Sequence, residues 1–339
     1  MKIKSLFLLA GLISTSLTWA EDYKVTVPLP SDFEGAMAYI VNYDTNNRID
    51  SVLVEDGVAE FSGNISEPVA VRLNVDGNNM SVFILEGGDI VVTPAQRSVK
   101  GGELNEKNNK IQSDLNEIIS NYYAATDEND RKKYLEAYDT YTEGVLADNK
   151  DNVIGYIMFL DKAYDMEPAE LETYLAANPR FAEFQRVKKL VKSNQRKLAT
   201  SEGEMFADFE IEYDGTTHRL SDVVGKGDYV LVDFWASWCG PCIRQVEVLK
   251  DIYNNYKDDG LKILGVAVWD EPENTKKAIT QHVIPWECWI NGQNIPTGIY
   301  GISGIPCIIL FGPDGKIISR DKQGEMLKAA VAEAMANKK

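Results

Sequence analysis

The amino-acid sequence predicts an α/β C-terminal domain with a mixed sheet, preceded by an antiparallel β domain and a helical middle segment. Three observations support this prediction. Between residue 23 and about residue 93 apolar residues recur at every second position in short segments. They recur with helical spacing between residues 103 and 197, and from residue 200 onward segments of the two patterns alternate. At about 150 residues per domain, a chain of 339 residues has room for two or three domains.

Composition and charge exclude several classes of protein. With 44% hydrophobic and 26% charged residues, the chain is an ordinary globular protein and neither wholly disordered nor collagen-like. Its net charge of −17 disfavours nucleic-acid binding, because an acidic surface repels phosphates. Two histidines and four cysteines leave little for a metal centre built on histidine. The cysteine thiols are therefore the main candidates for chemistry.

The first twenty residues have the order of an export signal. Lys2 and Lys4 precede an apolar run over residues 6–17, and Thr18-Trp19-Ala20 approximates a small-x-small cleavage site. The run is too short to span a bilayer, and no cysteine follows it to carry a lipid. We therefore expect a signal peptide over residues 1–20 and a mature protein of the periplasm or cell envelope that does not span the membrane. A buried N-terminal helix is the alternative.

Residues 21–100 are predicted to form the β-rich domain. Alternating apolar residues occur in segments 23–27, 37–43, 49–54, 58–61, 69–75 and 82–85. Asp56-Gly57 and Asp76-Gly77 between them are dipeptides that supply the positive φ of hairpin turns. The region contains neither cysteine nor histidine, and its acidic residues are scattered. It therefore offers no catalytic group of residues.

Residues 101–198 are predicted to be helical. Apolar residues recur at helical spacing, Pro168 fits a helix start and Asn178-Pro179 a helix stop. A stripe of tyrosines, including Tyr134 and Tyr138, suggests a ligand site, but packing is the better interpretation because tyrosine rings at this spacing bury well. We assign this segment no chemistry.

Residues 199–339 are predicted to form the α/β domain. A hairpin around Asp214-Gly215 precedes a wholly apolar strand over residues 229–235, and a helix begins at Gly240-Pro241. A strand over 261–269, a helix over 272–282, a hairpin over 307–318 and a last helix over 326–335 follow. Strands that alternate with helices indicate a mixed sheet covered by helices.

The chemistry is concentrated in Trp238-Cys239-Gly240-Pro241-Cys242, between the apolar strand and the helix. A helix N-terminus stabilises a thiolate, and cysteines of such motifs reach pKa values of about 3.5–7.5. Cys239 is the expected nucleophile and Cys242 the resolving thiol. Because the pair can close to a disulfide or open to a dithiol, it is a two-electron switch.

Two other interpretations of the motif are a zinc half-site and an inert structural disulfide. Zinc would need a second close pair, whereas Cys288 and Cys307 lie nineteen positions apart with neither histidine adjacent. A structural bridge that closes so short a loop constrains the unfolded chain little. Both are therefore weaker than the redox interpretation.

Residues 230–242, VLVDFWASWCGPC, strongly resemble the thioredoxin active-site segment. With the strand and helix inserted between residues 261 and 300, the C-terminal region is similar to the TlpA/ResA branch of envelope thiol–disulfide oxidoreductases, within the wider redoxin and AhpC/TSA superfamily. The β-rich region, with residues 50–54 and 83–89, also resembles a domain of unknown function that often precedes such modules in Bacteroidota. The resemblance implies a thioredoxin-like fold for residues 199–339.

The resemblance also implies roles for particular residues. Asp233 matches a buried acid that exchanges a proton with Cys242, and Ile305-Pro306 matches a cis-proline loop beside the dithiol. Trp238, Pro241 and this loop would contact the substrate. Partners would be protein thiols or disulfides and an envelope electron donor or acceptor, with no cofactor beyond the Cys239–Cys242 disulfide and no metal.

The chain departs from this branch at Gln245 and Glu247, where relatives often have glutamate and proline. Cys307, after the expected cis-proline, could be a third thiol near the site, but for it and Cys288 a buried apolar role is favoured. His218 and His282 are expected at the surface or at helix ends. The expected function is periplasmic thiol–disulfide exchange. A thiol peroxidase, or an envelope binding protein with a vestigial redox module, are the alternatives.

Overall fold

The computed structural model describes residues 20–337, so the predicted signal peptide lies, apart from Ala20, outside the described residues. The described chain divides into two compact units. Unit 1 comprises residues 20–166 and 173–187, and unit 2 comprises residues 167–172 and 188–337. This division into units does not test the predicted boundaries of the β-rich and helical segments at residues 100 and 198, which stay predictions.

Unit 1 contains two four-stranded sheets, of order β4-β1-β7-β8 and β3-β2-β5-β6. Neighbouring strands are antiparallel except β1 and β7, which are parallel. The strands are β1 (Glu21–Pro28), β2 (Met37–Asn42), β3 (Arg48–Leu53), β4 (Val58–Ile65), β5 (Val69–Val75), β6 (Asn78–Leu85), β7 (Gly88–Thr93) and β8 (Ser98–Lys100). The predicted antiparallel β class is confirmed.

The turns of unit 1 have the backbone that the sequence predicted. Asp56 and Gly57 both have positive φ (52° and 73°), as do Asp76 and Gly77 (49° and 77°). The first turn joins β3 to β4 and the second joins β5 to β6, and Phe61 of β4 and Leu73 of β5 are buried in one apolar core. Strands β7 and β8, which the sequence did not predict separately, complete the sheet that contains β1 and β4.

The middle segment is helical, as predicted. Its helices are α1 (Glu103–Ala124), α2 (Glu128–Asn149), α3 (Val153–Asp165), α4 (Pro168–Ala177) and α5 (Gln185–Ala199). Side-chain caps begin two of them: Asp127 accepts hydrogen bonds from the amides of Asn129 and Asp130, and Asn152 from those of Ile154 and Gly155. Helix α4 begins at Pro168 and ends before Asn178, where the sequence placed its start and stop.

Unit 2 contains a five-stranded mixed sheet of order β13-β12-β11-β14-β15 and a β9–β10 hairpin. The central strand β11 pairs parallel with β12 and antiparallel with β14. The elements are β9 (Glu210–Tyr213), β10 (Thr216–Arg219), β11 (Tyr229–Trp235), α6 (Gly240–Tyr256), β12 (Leu261–Ala267), α7 (Pro272–Gln281), β13 (Glu287–Trp289), α8 (Ile295–Tyr300), β14 (Cys307–Phe311), β15 (Ile317–Arg320) and α9 (Gly324–Ala336). The predicted α/β, thioredoxin-like class is confirmed, and the short α8 is an addition to it.

The central strand β11 is buried along its whole length and separates two apolar cores. Val232 and Phe234 pack in one core, and Leu231 packs with Val246 and Leu249 of α6 in the other. Asp233 therefore projects toward the face that α6 covers, because alternate residues of a strand share a face. Within residues 20–337, no helix combines the length and the apolar character that crossing a membrane requires.

Candidate active site

The dithiol lies where β11 leads into α6, and in this structure Cys239 and Cys242 form a disulfide. Cys239 caps the N-terminus of α6: its Sγ accepts a hydrogen bond from the Cys242 amide at 3.2 Å. Cys239 is 4% exposed and Cys242 is fully buried. A helix N-terminus and an amide donor both favour negative charge on sulfur, so the geometry favours a thiolate on Cys239 in the reduced state.

Trp238 forms the exposed rim beside the dithiol. Its side chain is 62% exposed, and its Nε1 donates a hydrogen bond to the carbonyl oxygen of Trp269 at 2.9 Å. Pro241 is also exposed, in the first turn of α6. Two of the predicted substrate-contacting residues are therefore at the surface next to Cys239.

The Ile305–Pro306 peptide bond is cis, as the resemblance implied, and its loop lies against the dithiol. The carbonyl oxygen of Ile305 is 3.7 Å from the Sγ of Cys239. Gln323 donates a hydrogen bond from Nε2 to the Pro306 carbonyl oxygen at 3.4 Å. Gln245, at the position where relatives often carry glutamate, accepts a hydrogen bond from the Gly324 amide and so joins α6 to the start of α9.

Asp233 is the buried acid of the site. It is 2% exposed, and within the described part of the chain its Oδ1 has no hydrogen-bond partner. Burial raises the pKa of this carboxyl to about 7, because desolvation disfavours the charged form. A carboxyl with this pKa exchanges its proton readily at neutral pH.

Gly265 and Cys288 complete the surroundings of Asp233. In the sheet, Asp233 pairs with Gly265, which pairs in turn with Cys288. A Cβ atom at Gly265 would lie 2.7 Å from the Cys288 Sγ and 3.1 Å from the Trp235 Nε1, so only glycine fits there. Trp235 packs with both cysteines of the disulfide, and Cys288 packs against the same cluster. No pattern in the sequence singled out Gly265.

The thiol of Cys288 is held in its protonated form. Burial, followed by the charge of Asp233, raises its pKa to about 12. A thiol that stays protonated at neutral pH is a poor nucleophile. This environment fits the apolar role that the sequence favoured.

Cys307 does not join the dithiol. It is buried in the core on the other face of β11, together with Val232 and Phe234. Its Sγ donates a hydrogen bond to the Asp321 Oδ1 at 3.1 Å, and burial together with Asp321 raises the pKa of the thiol. The possibility that Cys307 forms a third thiol near the active site is not supported by this placement.

We expect the double variant Cys288→Ser/Cys307→Ser to reduce insulin disulfides within a few-fold of the wild-type rate per folded molecule. Neither thiol is activated, but burying hydroxyl groups in place of sulfur lowers the free energy of unfolding. Thermal unfolding would give the folded fraction, and turbidity from precipitating insulin chains the rate. A rate loss above about tenfold per folded molecule would indicate a second redox relay.

Asp270 is a site residue that the sequence analysis missed. Its carboxylate is buried and accepts three hydrogen bonds at 2.8 Å, from the Ser237 amide, the Ser237 hydroxyl and the Thr275 hydroxyl. It therefore fixes the segment that leads to Trp238 and Cys239. A signal for Asp270 was available in the order of the elements. Asp270 closely follows β12, the dithiol segment follows β11, and the carboxyl ends of parallel neighbouring strands lie at one edge of a sheet.

The two histidines lie apart from this chemistry. His218 stacks on Trp289 with ring centroids 5.2 Å apart, and His282 follows the last turn of α7. Among residues 20–337 no three histidine, cysteine or acidic side chains are grouped in a way that would hold a metal ion.

Comparison with known families identifies two segments. Residues 203–320 match the AhpC/TSA family, and residues 23–108 match a domain of unknown function, DUF4369. Both resemblances stated from the sequence are therefore confirmed. The first segment contains Asp233, the dithiol and the Ile305–Pro306 loop.

Similar proteins carry one activity in their names. The thiol-disulfide oxidoreductase ResA of Geobacillus thermodenitrificans is 31% identical over 122 residues, which is 36% of this chain and 69% of that protein. ResA of Geobacillus kaustophilus is 30% identical over the same shares. The thioredoxin domain of a thiol-disulfide oxidoreductase from Bacteroides vulgatus is 33% identical, covers 39% of this chain and 96% of its own, and superposes with a TM-score of 0.36. A thiol:disulfide interchange protein from Bacteroides sp. is 32% identical over 42% of this chain and 94% of its own, with a TM-score of 0.37.

Proposed function

The chain belongs to the family of thiol–disulfide oxidoreductases that includes ResA, and from this we propose that it exchanges disulfides with protein substrates in the periplasm through the dithiol of Cys239 and Cys242. The observation that carries the proposal is the position of Cys239. Its sulfur caps helix α6, accepts a hydrogen bond from the Cys242 amide and is bonded to the Cys242 sulfur. This arrangement provides an activated sulfur and a resolving sulfur in one turn of helix.

The reaction is a pair of exchanges at sulfur. In the reducing direction, the Cys239 thiolate attacks a substrate disulfide, a mixed disulfide forms, and the departing substrate sulfur takes a proton. Cys242 then loses its proton and attacks the Sγ of Cys239, which releases the second substrate thiol. Two electrons pass from the dithiol to the substrate, and the chain is left with its Cys239–Cys242 disulfide. The same steps in reverse oxidise a substrate dithiol.

Asp233 accepts the proton of Cys242 in the resolving step. Two features support this role: its carboxyl projects to the face of β11 that α6 covers, and its pKa of about 7 leaves a large ionised fraction at neutral pH. Trp235, two residues along the same face, packs with Cys242. Within the described residues the Asp233 Oδ1 has no partner that would compete for the proton.

An extended segment of the substrate binds beside the cis-proline loop. Trp238 and Pro241, close to Cys239 in the chain, offer exposed apolar surface, and the backbone carbonyl oxygen of Ile305 lies 3.7 Å from the Cys239 sulfur. Backbone pairing at such an edge accepts many sequences, as a general disulfide exchanger requires. The electron donor or acceptor would use the same surface.

Insulin reduction by the full chain with dithiothreitol as electron source tests the activity. We expect turbidity to appear sooner than with dithiothreitol alone, and the Cys239→Ser protein is the matched control. Fractionation of cells that produce the chain tests the location, and the proposal expects a periplasmic protein shortened at its N-terminus by about twenty residues. No acceleration above the control would refute the activity, and a cytoplasmic, uncut chain would refute the location.

The redox module is expected to fold and reduce disulfides without residues 21–187. The structure refines where to cut, because the end of α5 belongs to unit 2. Helix α5 contacts the rest of unit 2: a Cβ at Gly301 would lie 2.3 Å from the Ser193 carbonyl oxygen, and Lys197 forms an ion pair with Asp321 at 3.4 Å. Residues 188–339 should therefore unfold at a higher temperature than residues 200–339.

Both fragments retain every proposed catalytic group, so both should reduce insulin, although they should select natural partners less well than the full chain. Kinetics on insulin and on a partner trapped by the Cys242→Ser protein would compare the three proteins. A folded but inactive fragment would mean that the remaining residues complete the active site. Equal activity on the natural partner would mean that those residues have no part in recognition.

A further inference from the structure

A polar cleft in unit 1 lies between helix α1 and the edges of both sheets. It has a volume of about 420 Å³ and is lined by Val82, Phe83, Arg97, Val99, Asn105, Asn108, Asn109, Gln112, Ser113 and Asn116. Five of these residues are amides of α1, at positions 105, 108, 109, 112 and 116. Because residues three or four apart on a helix are neighbours on its surface, the five form a row on one side of α1. We call this set, Asn105, Asn108, Asn109, Gln112 and Asn116, the amide row.

Two members of the amide row already bind the backbone of an edge strand. Asn105 accepts a hydrogen bond from the Ile84 amide through Oδ1 at 3.0 Å and donates one from Nδ2 to the Ile84 carbonyl oxygen at 2.7 Å. Asn109 donates from Nδ2 to the Val99 carbonyl oxygen at 2.7 Å. Side-chain amides of α1 therefore take the place that a further strand would occupy beside β6 and β8.

The edge of β6 continues beyond this contact. In the described residues β6 pairs with β5 on one side only. Ile84 and Val82 lie opposite Ala70 and Arg72 of β5, and in an antiparallel pair residues two apart direct their backbone groups to the same side. Because the Ile84 groups point to the amide row, the amide and carbonyl of Val82 also point outward, into the cleft. Val82 is 45% exposed and carries no charge that would block a neighbouring strand.

The rest of the amide row has hydrogen-bonding capacity to spare. Asn108 Oδ1 is withdrawn from solvent, and within the described residues it has no partner. Gln112 reaches only the Met158 sulfur, at 4.0 Å, which is a weak acceptor. Of the described residues that line the cleft, Arg97 alone is charged, in a chain whose net charge is −17. The cleft therefore offers paired donors and acceptors and one positive charge.

We infer that this cleft binds an extended polypeptide segment with an acidic side chain, which adds to the free edge of β6 while the exposed amides of Gln112 and Asn116 pair with its outer backbone groups. Asn105 performs the same pairing on Ile84 within the protein, so the chemistry is present in the structure. Arg97 selects for the acidic side chain. Recognition through the backbone tolerates many sequences, and it requires an unfolded segment.

Fluorescence anisotropy with the full chain tests the inference. The probe is a labelled, cysteine-free peptide of twelve residues that alternates Thr and Val and includes two Asp, so binding does not depend on the dithiol. A second peptide of the same sequence, N-methylated at alternate residues, lacks the backbone donors of one edge. We expect saturable binding of the first peptide and a loss of at least tenfold in affinity for the second.

Variants locate the site. Gln112→Ala/Asn116→Ala removes two exposed amides of the row and should weaken binding at least fivefold, whereas Asn121→Ala, an exposed amide on α1 outside the cleft, should not change it. Val82→Pro removes the outward-facing backbone N–H and should abolish binding. The variant should still fold, because proline is tolerated on an edge strand where the N–H faces solvent. Thermal unfolding checks the fold of each variant, and the double alanine variant decides the matter if the proline variant is unstable.

Four results would overturn the inference. These are no binding at millimolar peptide, equal affinity for the N-methylated peptide, unchanged affinity in the Gln112→Ala/Asn116→Ala protein, and equal affinity when the Asp residues of the probe are replaced by Lys. Displacement of the peptide by a neutral oligosaccharide, with higher affinity than the peptide itself, would assign the cleft to carbohydrate instead. None of these results bears on the activity of the dithiol, which the insulin assay measures separately.

Discussion

Replacing Cys239 by serine is expected to abolish disulfide exchange, whereas the Cys242→Ser protein should still attack disulfides and accumulate mixed disulfides. The reason is the unequal position of the two sulfurs. The Cys239 sulfur caps α6 and accepts a hydrogen bond from the Cys242 amide. The Cys242 side chain, about one helical turn further along the chain, is fully buried. A serine hydroxyl at position 239 stays protonated at neutral pH, and the remaining thiol, that of Cys242, is fully buried, so the activated nucleophile is lost.

Timed alkylation of the reduced protein with iodoacetamide, followed by mass spectrometry, checks the assignment. Cys239 should react first at pH 7, and the Cys242→Ser protein should retain that reactivity. Non-reducing gels of cells that produce the Cys242→Ser protein should contain mixed-disulfide adducts that dithiothreitol reduces. Cells that produce the Cys239→Ser protein should not contain these adducts. Faster alkylation of Cys242 would reverse the two roles.

Replacing Asp233 by asparagine is expected to slow turnover near neutral pH by roughly 10- to 10⁴-fold, the range of a lost proton transfer. Asparagine has nearly the same shape but cannot accept the proton of Cys242. Because the pKa of Asp233 is raised to about 7, the wild-type rate should fall as pH drops through about 7, where the carboxyl becomes protonated. The variant should lack this inflection.

The rate at which the mixed disulfide resolves, measured between pH 5 and pH 9, separates proton transfer from a structural role. Asp222→Asn, which removes an exposed carboxyl in the same unit, is the control and should match the wild type. If Asp233→Asn and wild type give superimposable profiles between pH 6 and pH 9, Asp233 does not transfer the proton.

The same residue is expected to make the oxidised protein less stable as pH rises. The pKa of Asp233 is raised in the folded state from 3.8 to about 7, so the folded state binds more protons than the unfolded state between these values. Its stabilising contribution is complete below pH 3.8 and is lost as pH rises through about 7, a change on the order of 4 kcal/mol. Urea unfolding of wild type and Asp233→Asn from pH 4 to pH 8 would measure the difference, which should grow with pH in favour of the variant. A constant difference across this range would contradict the assigned pKa.

The local order of strand, dithiol and helix could be predicted because each step depends on neighbouring residues. The apolar run that became β11 is buried on both faces, so it has a composition that few other elements share. Gly240-Pro241 suits a helix start wherever the helix lies in the fold. The turns at Asp56-Gly57 and Asp76-Gly77 follow likewise from the φ that glycine and aspartate tolerate.

Helix α8 and strand β8 were missed for a physical reason. Helix α8 spans six residues and β8 three, too few for a period of 3.6 or 2 to repeat. The spacing of apolar residues could not predict the division into units either. Helix α5 is one continuous helix, yet its first residues belong to unit 1 and its last residues to unit 2. Periodicity describes a helix and does not say what packs against it.

The sequence by itself determined the fold class, the Cys-Gly-Pro-Cys motif and the resemblance that pointed to Asp233 and Pro306, since these depend on local period, turn chemistry and motif. Only the tertiary structure decided which distant side chains meet there. It placed Cys288 over Gly265 beside Asp233, directed Cys307 into the opposite core, and tied Ser237 to Asp270. The same holds for the amide row. From the sequence these polar residues are typical of a solvated helix face, and only the structure shows that Asn105 binds the backbone of Ile84. Such contacts follow from strand order and register, which bring together residues far apart in the chain and leave no trace in local periodicity.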